Sequence, residues 1–168
     1  MMTADTKPLK PELLLPLITQ SFAAVIDQDP FSPFITVDAI EPTRDVCAMI
    51  SLTGPVSIMF VLTLDHAVAW RVMQHEVKAL GLEESEDMLE AVLGEIANVI
   101  GGNATAYLVS AESQIHLSLP LIFRAAKARA GVGKVSIFRS SLLCSVGQLD
   151  AYFVTPAKLS FVAATPTS

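Results

Sequence analysis

The chain reads as an α/β (α+β) domain: a mostly antiparallel sheet of about six strands with three helices packed on one face. Two patterns predict it. Three segments repeat apolar residues at helical spacing, and six short runs are either alternating or continuously apolar, as strands are. Neighbouring runs are mostly joined by turns too short to hold a crossover helix, so consecutive strands pair antiparallel. At 168 residues the chain suits a single domain over 1–168, with a core at about 11–155 and a tail at 156–168.

The first helix is expected from Pro11 to about Asp27. Leu13, Leu14, Leu17, Ile18, Phe22, Val25 and Ile26 recur along it at helical spacing. Pro16 falls near its start, where proline is tolerated best, and Pro30 and Pro33 lie beyond its end. Three strands follow: Phe34–Ile40, Val46–Leu52 after the Glu41–Pro42–Thr43 turn, and Val56–Leu64 after Thr53–Gly54–Pro55. The third is almost continuously apolar, as a central strand is. Asp65 is a fitting N-cap for a second helix from His66 to about Lys78, with Val68, Val72, Met73 and Val77 on one side and Gly81 closing it. Ser85 caps a long third helix to about Ser110. Ile115–Phe123 alternates with Pro120 inside it, which marks an edge strand. Lys127–Gly133 is a loop, and Val135–Val146 with Asp150–Val154 forms a hairpin around Gly147–Gln148.

Composition excludes several functions. Hydrophobic residues make up 52% of the chain and the mean hydropathy is +0.53. Yet the longest apolar stretches, Val56–Leu64 and the neighbourhood of Leu13–Ile18, fall well short of the ~20 residues a membrane span needs. The excess belongs in buried strands and a self-association interface. Met1–Pro8 has no apolar core with a cleavage site, so no signal peptide is read and a cytoplasmic location is expected. The net charge is −6, and Lys127, Arg129 and Lys134 are scattered, which argues against nucleic acid. Cys47 and Cys144 sit inside strands among apolar neighbours and read as reduced core cysteines. No CxxC is present and His66, His75 and His116 do not have ligand spacing, so no metal site is expected in this chain. Ser140 and Ser141 lack a nucleophile elbow, Gly131–Lys134 lacks the P-loop pattern, and Trp70 and Met73 read as core or interface.

The informative segment is Met88–Leu108, MLEAVLGEIANVIGGNATAYL. With Ile96 at the origin of a helical wheel, Leu89, Val92, Leu93, Ile100 and Tyr107 lie within about 60° of it as a core stripe. Glu95 then falls near about −100° and Asn98 near about −160°, on an outer face with Ala91, Gly94, Gly102 and Thr105 around them. This face presents two functional groups with almost no bulk beside them. Each helical glycine costs about 1 kcal/mol relative to alanine, and small residues let another chain approach closely. Gly94 and Gly102 are therefore expected to receive a partner, while Gly101 could as well pack within its own chain. Glu95 and Asn98 are three apart, so their Cβ atoms lie roughly 5–6 Å apart and address one target together. A carboxylate pairs with a lysine, and an amide can hold a water by donating or accepting. Asn103 falls near about −20°, on the core side, and is expected to be a buried structural amide bonded to backbone.

The string Glu95-Ile96-Ala97-Asn98-Val99-Ile100-Gly101-Gly102-Asn103-Ala104 resembles the CheC/CheX/FliY phosphatases of bacterial chemotaxis. Their signature is Asp or Ser, three residues, Glu, two residues, Asn, and a proline about twenty-three residues later. Glu95 and Asn98 fit, Pro120 falls one residue short of that spacing, and Ala91 stands where Asp or Ser is usual. Looser likeness extends to Ser21–Val25 and to Thr53-Gly54. The first helix has no E-x-x-N, and a single motif is similar to CheX, with one site per subunit of a homodimer. The resemblance implies a phosphorylated CheY-like response regulator as substrate, its Mg²⁺ carried by the regulator and no cofactor in this chain. It implies that Asn98 orients the attacking water while Glu95 pairs with the regulator's lysine. Neither role requires the side chain to take up a proton. Such an amide supplies roughly 10²- to 10³-fold, about 3–4 kcal/mol. Two other readings compete: a module that binds a response regulator or flagellar-switch protein without catalysis, and a purely structural dimerisation domain.

Overall fold

The computed structural model describes residues 6–7, 11–41, 43–54, 57–108, 115–124, 135–156 and 161–162. In chain order the elements are β1 (Thr6–Lys7), α1 (Leu15–Ser21), β2 (Ile35–Val37), β3 (Val46–Thr53), β4 (Ile58–Leu64), α2 (His66–Leu80), α3 (Glu86–Leu108), β5 (His116–Leu117), β6 (Leu121–Arg124), β7 (Val135–Cys144), β8 (Gly147–Pro156) and β9 (Phe161–Val162). Short 3₁₀ turns at Pro11–Leu14 and Ala23–Val25 flank α1.

The main sheet has seven strands rather than about six, in the order β2-β7-β8-β4-β3, with β5 and β6 following one another along the outer side of β3. Every pair in it is antiparallel. A separate two-stranded pair joins β1 to β9, within the segments read as termini.

Period-two alternation gives this sheet two unlike faces. Val46, Ala48, Ile50 and Leu52 of β3 stand beside Ile58, Phe60, Leu62 and Leu64 of β4, in the register Val46↔Leu64 to Leu52↔Ile58. All are buried in one core with Leu14, Ile18 and Phe22, with Val68, Val72, Met73 and Val77 of α2, and with Leu89, Leu93 and Ile100 of α3. The three helices thus cover one face, as the sequence predicts. The opposite face carries a smaller cluster: Ile40, Val61, Ile137, Tyr152 and Val154. β4 and β8 are apolar on both faces because strands lie on either side of each and apolar clusters above and below.

Several boundaries differ from the sequence reading, each for a local reason. The first helix is broken: Pro16 withholds the N–H that would join Pro11–Leu14 to α1, and Ser21 Oγ donates to the Leu17 carbonyl at 3.0 Å as the helix ends. The strand at Phe34–Ile40 shrinks to Ile35–Val37. The β7–β8 hairpin turns at Ser145–Val146, because Cys144 pairs with Gly147. Gly147 instead lies at a φ of +149° with its missing Cβ position only 2.7 Å from Asp65 Oδ2, so a side chain has no room there. Asp65 does occupy the N-cap of α2, but its carboxylate makes no cap bond. The His66 N–H donates to Asp45 Oδ2 at 2.9 Å. Ser85 Oγ accepts from the Met88 N–H at 3.1 Å, and Gly81 ends α2 in the left-handed region with Leu82 N–H reaching Val77 O at 2.9 Å. The Lys127–Gly133 loop, most of the 156–168 tail, Val56, Ser110 and the Tyr107 side chain lie outside the described residues.

The carboxylate of Asp65 is engaged elsewhere. Arg44 donates through Nε to Asp150 Oδ2 at 2.7 Å and through Nη1 to Asp65 Oδ1 at 3.1 Å. Asp150, 1% exposed, also accepts from Ser141 Oγ at 2.5 Å and Gln148 Nε2 at 3.0 Å. Asp65 Oδ2 accepts from the Gln148 N–H at 2.8 Å. Burial works against the Arg44 charge, and the two carboxylates more than offset it, raising its pKa further. This network clamps the β2–β3 connection, the end of β4 and the start of β8 at one corner of the sheet.

Candidate functional site

The exposed side of α3 begins where its apolar stripe ends. Leu89, Leu93, Ala97, Ile100, Gly101 and Ala104 are buried, while Ala91, Glu95, Asn98, Val99, Gly102 and Asn103 are exposed. The centre of the buried stripe lies about 60° from Ile96, which sits at its margin. This offset explains one error of the wheel. Asn103 lies beyond the margin and is exposed, and its amide Nδ2 donates to the Val99 carbonyl of its own helix at 2.7 Å.

Gly94 requires a second correction. It is buried, and a Cβ there would meet Pro120 Cγ at 3.6 Å. Its space is filled by this chain and not by a partner. Gly101 packs more tightly still, with Leu117 Cδ2 3.0 Å and Ile50 Cδ1 3.1 Å from the missing Cβ. Gly102 has nothing within 4 Å. Thr105 is half-buried and its Oγ1 donates to the Gly102 carbonyl at 2.6 Å.

What remains open is a stripe of four residues: Ala91, Glu95, Asn98 and Gly102. Successive positions are three or four apart, so they stack along one face over about three turns. Among the described residues, neither Glu95 nor Asn98 has a side-chain hydrogen bond or an ion pair. Ala91, Gly94 and Gly102 around them are small, and the exposed Val99 one turn beyond Glu95 is the larger side chain beside the pair. They line neither of two clefts among the described residues, of about 270 and 370 Å³, which are bordered by β3, β4, β7 and β8 and by His66, Ala67, Trp70 and Glu86. A convex pair of this kind suits insertion into another molecule's cavity better than capture of a small ligand.

The edge of the sheet holds Pro120 in place. His116 and Leu117 pair with Thr53 and Leu52, but Leu121 pairs with Met49. Ser118, Leu119 and Pro120 therefore oppose only Ile50 and Ser51, which makes a β-bulge. Beyond it, Arg124 donates to Glu86 at 2.5 Å and lies 3.8 Å from Glu90. β6 is thus fastened to α3 at both ends, by Pro120 on Gly94 and by Arg124 on the first turns. The hydrogen bond from His66, helped by the nearby Arg124 charge, holds the Glu86 carboxyl below its ordinary range. The proline read from sequence as interrupting an edge strand is the last residue of this bulge. The spatial contact with Gly94 was not legible, because it spans the β3 edge.

Other candidates disperse. Cys47 is buried, with its thiol pushed up by burial, and Cys144 is half-buried; both are free. Trp70 stacks on His66 with ring centroids 5.7 Å apart, and Met73 is in the core. Among the described residues no three His, Cys, Asp or Glu side chains converge to hold a metal ion, and no helix is long and apolar enough to cross a membrane.

The profile of the family described as chemotaxis phosphatase CheX matches residues 46–137, more than half of the chain. The chain belongs to the CheX family. The match contains α3, the bulge and the sheet from β3 to the start of β7. Solved structures agree at the level of the fold. A chemotaxis protein CheX from Desulfovibrio desulfuricans superposes with a TM-score of 0.65 at 15% identity, covering 83% of this chain and 91% of that one. A CheC-like chemotactic protein from Shewanella oneidensis gives 0.68 at 14% identity, covering 87% and 94%. A complex of CheX with CheY, beryllofluoride and Mg²⁺ from Borrelia burgdorferi gives 0.63 at 12% identity, covering 89% and 98%. No curated protein matches the chain. CheX relatives of such low identity speak for the architecture, so the chemistry of this member rests on its own residues.

Proposed function

We propose that this CheX-family chain accelerates hydrolysis of the aspartyl phosphate of a CheY-type response regulator. The observation that carries this reading is the exposed, unpartnered Glu95–Asn98 pair on a rigid helix, with Ala91 and Gly102 leaving room around it. Family membership supports it. So does the Borrelia complex, in which a protein of this fold is bound to CheY.

In this mechanism α3 lays its stripe over the regulator's phosphorylated pocket. Glu95 pairs with a lysine there and sets the register of docking. Asn98 enters beside the phosphoryl group. Its amide holds a water in line, accepting through Oδ1 or donating through Nδ2. The water oxygen bonds to phosphorus as the bond to the aspartyl oxygen breaks. Both protons of the water leave with the phosphate, as dihydrogen phosphate, and the carboxylate is regenerated. The regulator's own Mg²⁺ neutralises charge on the phosphoryl oxygens. A cytoplasmic location follows from such a partner. A homodimer is the assembly this reading expects, and exposed Leu121 and Phe123 at the sheet edge offer apolar surface for it.

A second reading has two observations in its favour: Ala91 occupies the position of the usual Asp or Ser, and Pro120 falls one residue short of the usual spacing. It makes the chain a non-catalytic module for a response regulator or flagellar-switch protein. Phosphate release from a panel of phosphorylated regulators of the same cell separates the two. Acceleration of one of them over its own autodephosphorylation supports the phosphatase. Binding of a regulator with no acceleration supports the module.

A further inference from the structure

Leu119 is the most exposed large apolar side chain among the described residues, at 89%. It is also among the best anchored. The Ser118 N–H donates to the Ser51 carbonyl at 2.8 Å, Ser118 Oγ accepts from the Ser51 N–H at 3.0 Å, and the same hydroxyl donates to the Leu119 carbonyl at 3.0 Å. On its other side Pro120 rests on Gly94. A bulge adds one residue to a strand and re-aims a side chain. Here the extra residue lies among Ser118–Leu119–Pro120, and the leucine is turned out to solvent.

Its position relative to α3 follows from two contacts. Leu117 touches Gly101, and Pro120 touches Gly94. The segment between them therefore runs antiparallel to the helix across about 10 Å of its axis. Asn98 lies midway along that span. Leu119, two-thirds of the way from Leu117 to Pro120, is thus level with about Ile96, between Glu95 and Asn98 along the axis, on the side of the stripe where the helix meets the sheet edge.

We infer that Leu119 is a positioning residue: an apolar anchor that seats the response regulator so that Asn98 reaches its phosphoryl group. This rests on the phosphatase reading above and deepens it. A typical protein interface covers roughly 800 Å² per partner, a disc of about 16 Å radius. A protein seated with Asn98 near the centre of such a contact therefore extends over Leu119. The two polar residues of the stripe supply register, but little apolar area. An apolar contact at the rim of the phosphorylated pocket adds affinity without the desolvation cost that polar pairs carry. The bulge's hydrogen bonds hold the leucine in place before docking, so little ordering entropy is lost on binding.

The test compares Leu119→Ser, Leu119→Met and Asn98→Ala with the unaltered chain, using one phosphorylated regulator for turnover and the same regulator charged with beryllofluoride and Mg²⁺ for binding. Leu119→Ser is expected to raise KM and the dissociation constant at least about tenfold and leave kcat unchanged. Leu119→Met should restore binding to within about threefold. Asn98→Ala should show the opposite split, with kcat lost and KM little changed. Unchanged KM and binding in Leu119→Ser overturns the inference. So does a change of oligomeric state in that variant, which would assign the leucine to an interface between copies of the chain. If the unaltered chain binds the regulator without accelerating hydrolysis, the phosphatase reading fails, and the binding arm still decides the role of Leu119.

Discussion

Two polar clusters in this molecule have opposite physical character. At one corner of the sheet, Arg44, Asp65, Asp150, Ser141 and Gln148 are bonded to one another within a largely buried network. On the outer face of α3, Glu95 and Asn98 are exposed and, among the described residues, bonded to nothing. A buried charge without its partner costs several kcal/mol, so the first cluster is tied to the folded state. An exposed amide that bonds to nothing contributes almost nothing to stability, which leaves it available for the docking proposed above. If the proposed function holds, stability and function fall to different residues, and substitutions should separate them.

The largest expected effect lies in the first cluster. Arg44→Ala leaves the Asp150 carboxylate buried without its cation and should destabilise the fold by about 3–5 kcal/mol, read as a lowered urea midpoint at unchanged m-value. Its remaining folded fraction should turn over the regulator normally. On α3, Glu95→Ala should leave the unfolding midpoint within about 0.5 kcal/mol. It should weaken regulator docking by about 2 kcal/mol or more, the ordinary effect of truncating one side of a buried interfacial charge pair. Titration of the charged regulator checks it. The smallest effect is at Ala91. A serine hydroxyl there sits one turn before Glu95 and can hydrogen-bond its carboxylate, so Ala91→Ser should alter turnover by only about twofold, in line with about 0.3–0.5 kcal/mol for such a helical pair. A much larger gain would mean that the departure at Ala91 limits this chain's activity.

The two clusters also differed in how far they could be read from sequence. The Glu95–Asn98 spacing is local, and three residues on a helix fix a shared face wherever the helix packs. The strand segments Val46–Leu52 and Val56–Leu64 are local in the same sense, and residues of both line the sheet core. Arg44, Asp65 and Asp150 are brought together by tertiary register alone, and the N-cap reading assigned Asp65 a different task. The helical wheel failed at its margin. Taking Ile96 as the centre of the stripe placed Asn103 inside, whereas Ile96 itself is at the rim, and Gly94 was read as open because nothing in the sequence showed that Pro120 would cover it. The bulge was illegible for a related reason: alternation along Ile115–Phe123 presumes an unbroken register, and the register slips by one residue at Ser118–Pro120.

The most direct measurement is single-turnover loss of the phosphoryl group from a phosphorylated regulator in the presence of saturating Asn98→Ala protein. A rate about 10²- to 10³-fold below that of the unaltered chain is expected, with binding of the regulator retained. A variant that binds and still accelerates hydrolysis as the unaltered chain does would contradict the assignment of Asn98 as the residue that orients water.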